Sequence, residues 1–341
     1  MGSLPSDPPT GRPPVLSPSQ VSSYLAHIGL PPSFHPSASP VLDLAYLTTL
    51  FTHHITAIPY ENLIIHYSPS HAVSLDPQTL FRKIINPPGT PRLGRGGYCM
   101  EISLLFLHLL HALGFPSAYT VGVRIRPRSA DGVPSGQYTG FVHLVILLTL
   151  PGDDSGQRYV LDAGFGGDGP TQPMPLVEGL VHHNSVGTQE VRYSRGWLGG
   201  KSRFVPPGDD RRLWIYEYRN GVEKGWNAFY AFDADFEFLE GDFGVMSHYT
   251  STAEASFQTR AVLVVRFLRG EGEDGGVRVK GKVMMAGPVV KRNLGGKTEV
   301  IKVCETEAER VDALREWFGI VLTEEEAGSI RGRVSELRGE E

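Results

Sequence analysis

Cysteine is nearly missing from this chain: Cys99 and Cys304 are the only two in 341 residues. Two cysteines make no disulfide framework, so a reducing, intracellular and cytoplasmic setting is expected. An excess of basic charge is missing too. The 32 Lys and Arg stand against 37 Asp and Glu, a net −5, which offers no nucleic-acid surface. Long apolar runs are also lacking. The two longest, 102–115 and 141–150, fall short of the ~20 residues of a membrane-spanning helix. No secretory apolar region follows Met1. Met1-Gly2-Ser3-Leu4-Pro5-Ser6 fits the loose N-myristoylation pattern. The prolines at 5, 8, 9, 13 and 14 read more simply as a disordered leader over 1–16.

Beyond the leader, helical periodicity dominates the first third of the chain. Ser17 can cap a helix with Pro18 at its first position. Val21, Tyr24, Leu25 and Ile28 then recur at helical spacing until Gly29. Further helices are expected over 41–56, 77–85 and 95–115, the last stopped by Gly114. After Phe115 the texture becomes strand-like at 119–126, 141–148, 158–162, 190–193, 212–218, 259–267 and 277–285, with Gly, Pro and Asp clusters between. Residues 270–276 read as a hairpin loop. Two capping boxes, Thr306 with Glu309 and Thr323 with Glu326, predict helices over 306–318 and 324–337.

The placement of Cys99 needs a reason. It follows Gly96 and Gly97 and precedes an apolar run that predicts a helix buried nearly all round. At a helix start the unpaired N–H groups and the macrodipole favour an anion, so a thiolate is stabilised there. The two glycines would allow close backbone approach and leave one side open to a substrate. The alternative is a small buried hydrophobe, as many free cysteines are.

A nucleophilic cysteine needs a histidine held by a carboxylate or amide. There are twelve histidines, and composition does not choose among them. The strand-like stretches 141–148 and 158–162 flank LPGDDSG, a strong turn signal. A hairpin centred on Gly152-Asp153 sets His143 opposite Asp162 on one face, close enough for the carboxylate to hold the Nδ1–H. His143 could instead be a satisfied core histidine, and Asp162 a turn cap. His53, His54, His182 and His183 read as exposed or helix-surface residues, none with metal-ligand spacing, so no metal is assigned. Residues 164–169 match G-x-G-x-x-G, but Pro170, Pro173 and Pro175 leave no phosphate-binding helix to follow. Those glycines fit a chain turning beside an active site.

These stretches, in order, resemble the arylamine N-acetyltransferases. Arg95-Gly96-Gly97-Tyr98-Cys99-Met100-Glu101 is similar to that family's RGGxCxE signature, and Pro59-Tyr60-Glu61-Asn62-Leu63 to its P-F-E-N-L segment. Thr139–Leu144 resembles the strand bearing its histidine, Asp162-Ala163-Gly164-Phe165-Gly166 its D-V/A-G-F-G, and 314–320 its C-terminal helix. The resemblance implies an α+β fold with a cysteine-protease-like core: a helical bundle (17–117), a central antiparallel β-barrel (118–230) and an α/β lid (231–341). It implies catalysis by Cys99, His143 and Asp162. Acyl-coenzyme A, acetyl or another short acyl such as malonyl, would be co-substrate, with no tightly bound cofactor. An arylamine, hydrazine or N-hydroxyarylamine would take the acyl group by a ping-pong route, a detoxification chemistry. It further implies that Thr139, Gly140 and Tyr249 meet coenzyme A, that Phe165 lines the acceptor pocket, and that Glu61 and Arg95 pair as support. Two departures stand out: Ser103 where the family often has Asn, and Tyr60 where it has Phe. A papain- or transglutaminase-like hydrolase uses the same residue types in the same order and is the alternative.

Overall fold

The computed structural model describes residues 14–85, 94–129, 132–184, 187–198, 212–272 and 275–338. Gly2, most of the leader and the centre of the 270–276 loop lie outside them.

The first helix forms on the cap that its sequence carries. In α1 (Pro18–His27) the Ser17 hydroxyl accepts from the Gln20 N–H and the Gln20 side chain accepts from the Ser17 N–H. Pro18 sits at the first position, where no amide proton is needed. Then come α2 (Leu44–Ala57), β1 (Tyr60–Glu61), α3 (Leu63–Tyr67), α4 (Pro77–Ile84) and α5 (Cys99–Leu113). Twelve of the fifteen residues of α5 are buried, which makes it the pillar of the helical core. Gly114 ends it at φ 100°, a conformation other residues avoid.

His53 and His54 depart from expectation. They are 3% and 1% exposed because α2 is covered by its neighbours. His54 Nδ1 bonds the Tyr24 hydroxyl at 2.9 Å, and its ring stacks on Phe106 with centroids 4.3 Å apart. Burial, with a smaller push from His27, lowers its pKa to about 3. A neutral ring of this kind packs as an aromatic.

The middle of the chain is an eight-stranded antiparallel sheet. Its strands are β2 (Tyr119–Ile125), β3 (Phe141–Thr149), β4 (Arg158–Leu161), β5 (Met174–Pro175), β6 (His182–His183), β7 (Gln189–Gly196), β8 (Leu213–Asn220) and β9 (Asn227–Phe232). In space the order is β5-β4-β3-β2-β9-β8-β7-β6. The sheet curls into a half-barrel with β5 and β6 as its edges, around a core rich in Val and Tyr.

Helices α6 (Glu240–Thr252) and α7 (Phe257–Arg260) lead into β10 (Leu263–Glu271), β11 (Val277–Ala286), β12 (Val289–Asn293) and β13 (Glu299–Val303). These strands form a second antiparallel sheet, and β1 from the first third pairs with β10 at its edge. α8 (Glu307–Ala313) starts at its Thr306 cap and runs through one π-helical turn, Leu314–Phe318, to Gly319 at φ 69°. α9 (Glu324–Gly328) keeps its capping box but stops well short of residue 337. Gly332 stands at φ 80°, which a right-handed helix cannot include, and the chain turns instead. The architecture is α+β.

Candidate active site

Cys99 is the first residue of α5 and is 4% exposed. The turn before it is held from behind. Glu101 Oε2 accepts from the Tyr98 N–H at 3.1 Å, which closes the helix start. A Cβ on Gly96 would lie 1.8 Å from the Pro59 carbonyl oxygen, and one on Gly97 would lie 2.7 Å from the Glu101 Cβ. The glycines therefore serve backbone packing, and the side they leave free is filled by protein rather than open to a substrate.

Glu61 anchors that turn. One of its oxygens accepts from Arg95 Nε at 3.1 Å and the Gly96 N–H at 3.2 Å; the other accepts from the Leu63 N–H at 2.6 Å. Lys83 bonds Glu101 at 2.8 Å and lies 3.8 Å from Glu61. Burial pushes the Glu61 pKa up, but Arg95 and Lys83 outweigh it and hold the carboxyl at about 2. Burial wins at Glu101, whose pKa rises despite Lys83.

The β3–β4 hairpin brings in the histidine and the aspartate. Leu150-Pro151-Gly152-Asp153 is a turn with Gly152 at φ 75°, and a second turn follows in which Asp153 accepts from the Ser155 N–H. The extra turn moves the hairpin centre one residue on. Ile146 faces Leu161, and the same register carries Asp162 opposite Val145, not His143. A slide of two places keeps the side chain on the same face, so His143 and Asp162 meet diagonally. His143 Nε2 lies 3.0 Å from Asp162 Oδ1. The carboxylate thus holds Nε2 rather than Nδ1, and leaves Nδ1 for the sulfur.

Burial would lower the His143 pKa, yet it rises to about 10, through Asp162 first and the hydrogen bond and charge of Cys99 second. Asp162 and Cys99 together favour the charged form of the ring. The Cys99 sulfur also lies 3.8 Å from the Val142 carbonyl oxygen. The loop after β4 closes the arrangement: a Cβ on Gly164 would lie 2.7 Å from the Cys99 Cα, so only glycine fits there. No helix follows 164–169. The Phe165 ring packs 5.2 Å from His143, 4.6 Å from Phe229 and 5.0 Å from Tyr230, centroid to centroid.

The remaining residues fall at different depths. Thr139 is half-buried; its N–H donates to the Ile125 carbonyl and its hydroxyl accepts from the Ile125 N–H. Gly140 is exposed, with open space where a Cβ would stand. Both lie within four residues of His143, at the solvent end of β3. Tyr249 is 49% exposed on α6, whose inward Ser247 and Thr250 instead meet the Tyr98 hydroxyl. Cys304 follows β13, buried in the second sheet's core, and burial raises its thiol pKa. No group of three or more His, Cys, Asp or Glu among the described residues could hold a metal.

Comparison with known proteins adds a family to this geometry. A family model described as N-acetyltransferase matches residues 43–327. The chain belongs to the arylamine N-acetyltransferase family. It is 31% identical over 337 residues to the N-malonyltransferase FDB2 of Fusarium pseudograminearum, covering 94% of this chain and 93% of that one. It is 29% identical over 255 residues to arylamine N-acetyltransferase 2 of Mus musculus, 70% and 74% of the two chains. The structure of the Mycobacterium marinum arylamine N-acetyltransferase in complex with CoA superposes with a TM-score of 0.70 at 24% identity, over 93% of this chain and 99% of that one. The protein is thus an acyltransferase of the arylamine N-acetyltransferase family. Within this arylamine N-acetyltransferase fold Ser103 is a visible departure: its buried hydroxyl has no hydrogen-bond partner among the described residues.

Proposed function

We propose that the protein transfers a short acyl group from acyl-coenzyme A to an aromatic amine through a thioester on Cys99. The observation that carries this reading is the His143 ring held 3.0 Å from Asp162 and set beside the Cys99 sulfur at a helix start, where both partners raise its pKa. A sulfur anion beside an imidazolium is stabilised by both the ring's charge and the helix dipole. In the first half-reaction that sulfur attacks the thioester carbonyl. The carbon–sulfur bond to coenzyme A then breaks, and His143 gives its proton to the departing thiolate. In the second, the amine attacks the Cys99 thioester and His143 takes up the amine's proton. The acyl–sulfur bond breaks and the ion pair is restored. Asp162 keeps the ring oriented and offsets its charge.

The donor is coenzyme A thioester chemistry, supported by the fold shared with an enzyme solved in complex with CoA. Relatives named for malonyl and for acetyl transfer leave both acyl groups as donors to test. In this reading Thr139 and Gly140, at the solvent end of β3, and Tyr249, on the exposed side of α6, meet the cofactor. In the same reading Phe165, whose ring packs against His143, lines the amine pocket. In this reading the chain is organised as 17–117, 118–230 and 231–341, with the helical core also taking in Leu144, Ile146, Leu161 and Phe243 from beyond residue 117. No helix among the described residues is long and apolar enough to cross a membrane. Both cysteines are free, in keeping with a reducing compartment such as the cytoplasm.

Steady-state kinetics test the reading. With acetyl- or malonyl-coenzyme A against a panel of arylamines and hydrazines, double-reciprocal plots should be parallel and coenzyme A release beyond one equivalent per chain should require an amine. Donor consumption at full rate without amine would favour a hydrolase instead.

A further inference from the structure

Tyr60 brings a hydroxyl to the sulfur's side of the fold. It sits on β1 directly opposite Val265 on β10, so the two side chains share a face of that sheet. Val265 reaches the loop after β4, where its Cγ2 would lie 3.5 Å from a Cβ on Gly166. Two residues earlier in that loop, Gly164 abuts the Cys99 Cα. On its other edge Tyr60 bridges Gly97, two residues before Cys99, and the Glu61 N–H donates to the Gly97 carbonyl at 2.9 Å. Tyr60 therefore packs against the same core as Cys99, framed by α5 and the 164–166 loop. Burial first, and Cys99 next, push its pKa up, so the phenol holds its proton.

The hydroxyl is set by a second residue. Gln258 is 2% exposed, and its Nε2 donates to the Tyr60 oxygen. The Tyr60 proton is left free to donate elsewhere. The other end of the Gln258 amide, Oε1, is buried without a hydrogen-bond partner among the described residues. A buried polar atom left without a protein partner is costly when water is excluded, so a polar group of a ligand is the natural complement here.

We propose that Tyr60, oriented by Gln258, selects the acyl donor by hydrogen-bonding the terminal carboxylate of a malonyl thioester. This rests on the acyl-transfer reading above. A malonyl group carries its carboxylate one methylene beyond the carbonyl that Cys99 attacks, whereas acetyl ends in a methyl at that point. A neutral donor suits this role, since it favours the anion without forming a competing ion pair with the sulfur. A hydrogen bond to a charged group is worth roughly 1.5–3 kcal/mol, or about tenfold or more in rate.

The test is Tyr60→Phe in the full chain, which removes one oxygen and keeps the ring. Acylation rates of Cys99 by malonyl- and acetyl-coenzyme A are read separately by intact mass. The malonyl rate constant should fall about tenfold or more while the acetyl rate changes less than about twofold. Gln258→Leu should shift the ratio the same way by freeing the hydroxyl to rotate. Equal losses for both donors, or no loss for either, would overturn the assignment. So would a wild-type protein that takes acetyl but not malonyl, which leaves the transfer reading standing. A wild-type protein with no Cys99 adduct from either donor would overturn both.

Discussion

His143 is the residue on which the proposed chemistry turns, because its partners raise a pKa that burial alone would lower. Its pKa is raised to about 10, against 6.5 for the free group. The raised value links it to stability: its contribution is complete below about pH 6.5 and is lost as the pH rises through about 10. A ring resonance titrating near pH 10 by NMR is the expected result, and one near 6.5 would contradict the ion-pair picture. Asp162→Asn should lower that titration and slow acyl transfer about 10²–10⁴-fold, with circular dichroism nearly unchanged. Unimpaired transfer would refute the role given to the carboxylate. The meeting of His143 with Asp162 is legible in the sequence, because turn chemistry and strand parity need no coordinates, and Cys99 at the start of α5 is legible from the apolar run that follows it. The register was two places out, and the ring nitrogen was the other one. Parity survives a slide of two, but atom-level orientation depends on how far the hairpin slides. Tyr60 carried one hint, a hydroxyl where the family has Phe. Its partner Gln258 lies far along the chain, and no local pattern joins them.

At the scale of elements, the start of α5 depends on a buried carboxylate from β1. Glu61→Gln removes the charge that Arg95 and Lys83 face and should cost about 3–5 kcal/mol, as breaking one side of a buried pair does. Urea denaturation at neutral pH measures it, and a loss under about 1 kcal/mol would show that the network is not holding the turn. Because the Glu61 pKa is depressed to about 2, its contribution is full above the usual 4.5 and disappears as the pH falls through about 2. The helices read well where capping residues and a stop glycine bracket an apolar run, as in α1 and α5. Six strands have no counterpart in the strand signals: β1, β5 and β6 are only two residues long, and the longer β9, β12 and β13 have their own reasons. β9 carries four consecutive buried residues, Phe229–Phe232, and so lacks the alternation of a one-sided strand. β12 and β13 are short and mixed in polarity. α6 holds Gly241, Gly244 and several hydroxyl residues, a poor helical signal that packing overrides.

Across the whole molecule, the second sheet is fastened to the loop that follows Asp162. Lys282 of β11 bonds the Gly167 carbonyl and lies 2.9 Å from Asp168 Oδ1, and Arg128 takes the other Asp168 oxygen. Lys282 is 5% exposed, so solvent screens the contact little. A double-mutant cycle of Lys282→Met and Asp168→Asn should give a coupling of about 1–3 kcal/mol in denaturation. Additive losses would show that the two sheets are joined by other contacts. The C-terminal elements reach the same centre by another route, since Arg95 also bonds Glu326 of α9 at 2.6 Å. Long-range ties of this kind are what a sequence hides, because they join residues with no shared period.

The proposed function depends at every scale on Cys99 carrying the acyl group between donor and amine. Intact-mass spectrometry after mixing with acyl-coenzyme A, in the absence of amine, tests this most directly. The expected result is one acyl group per chain on the peptide containing Cys99, none in Cys99→Ser, and discharge when an arylamine is added. An adduct that survives Cys99→Ser, or that forms on Cys304, would contradict it.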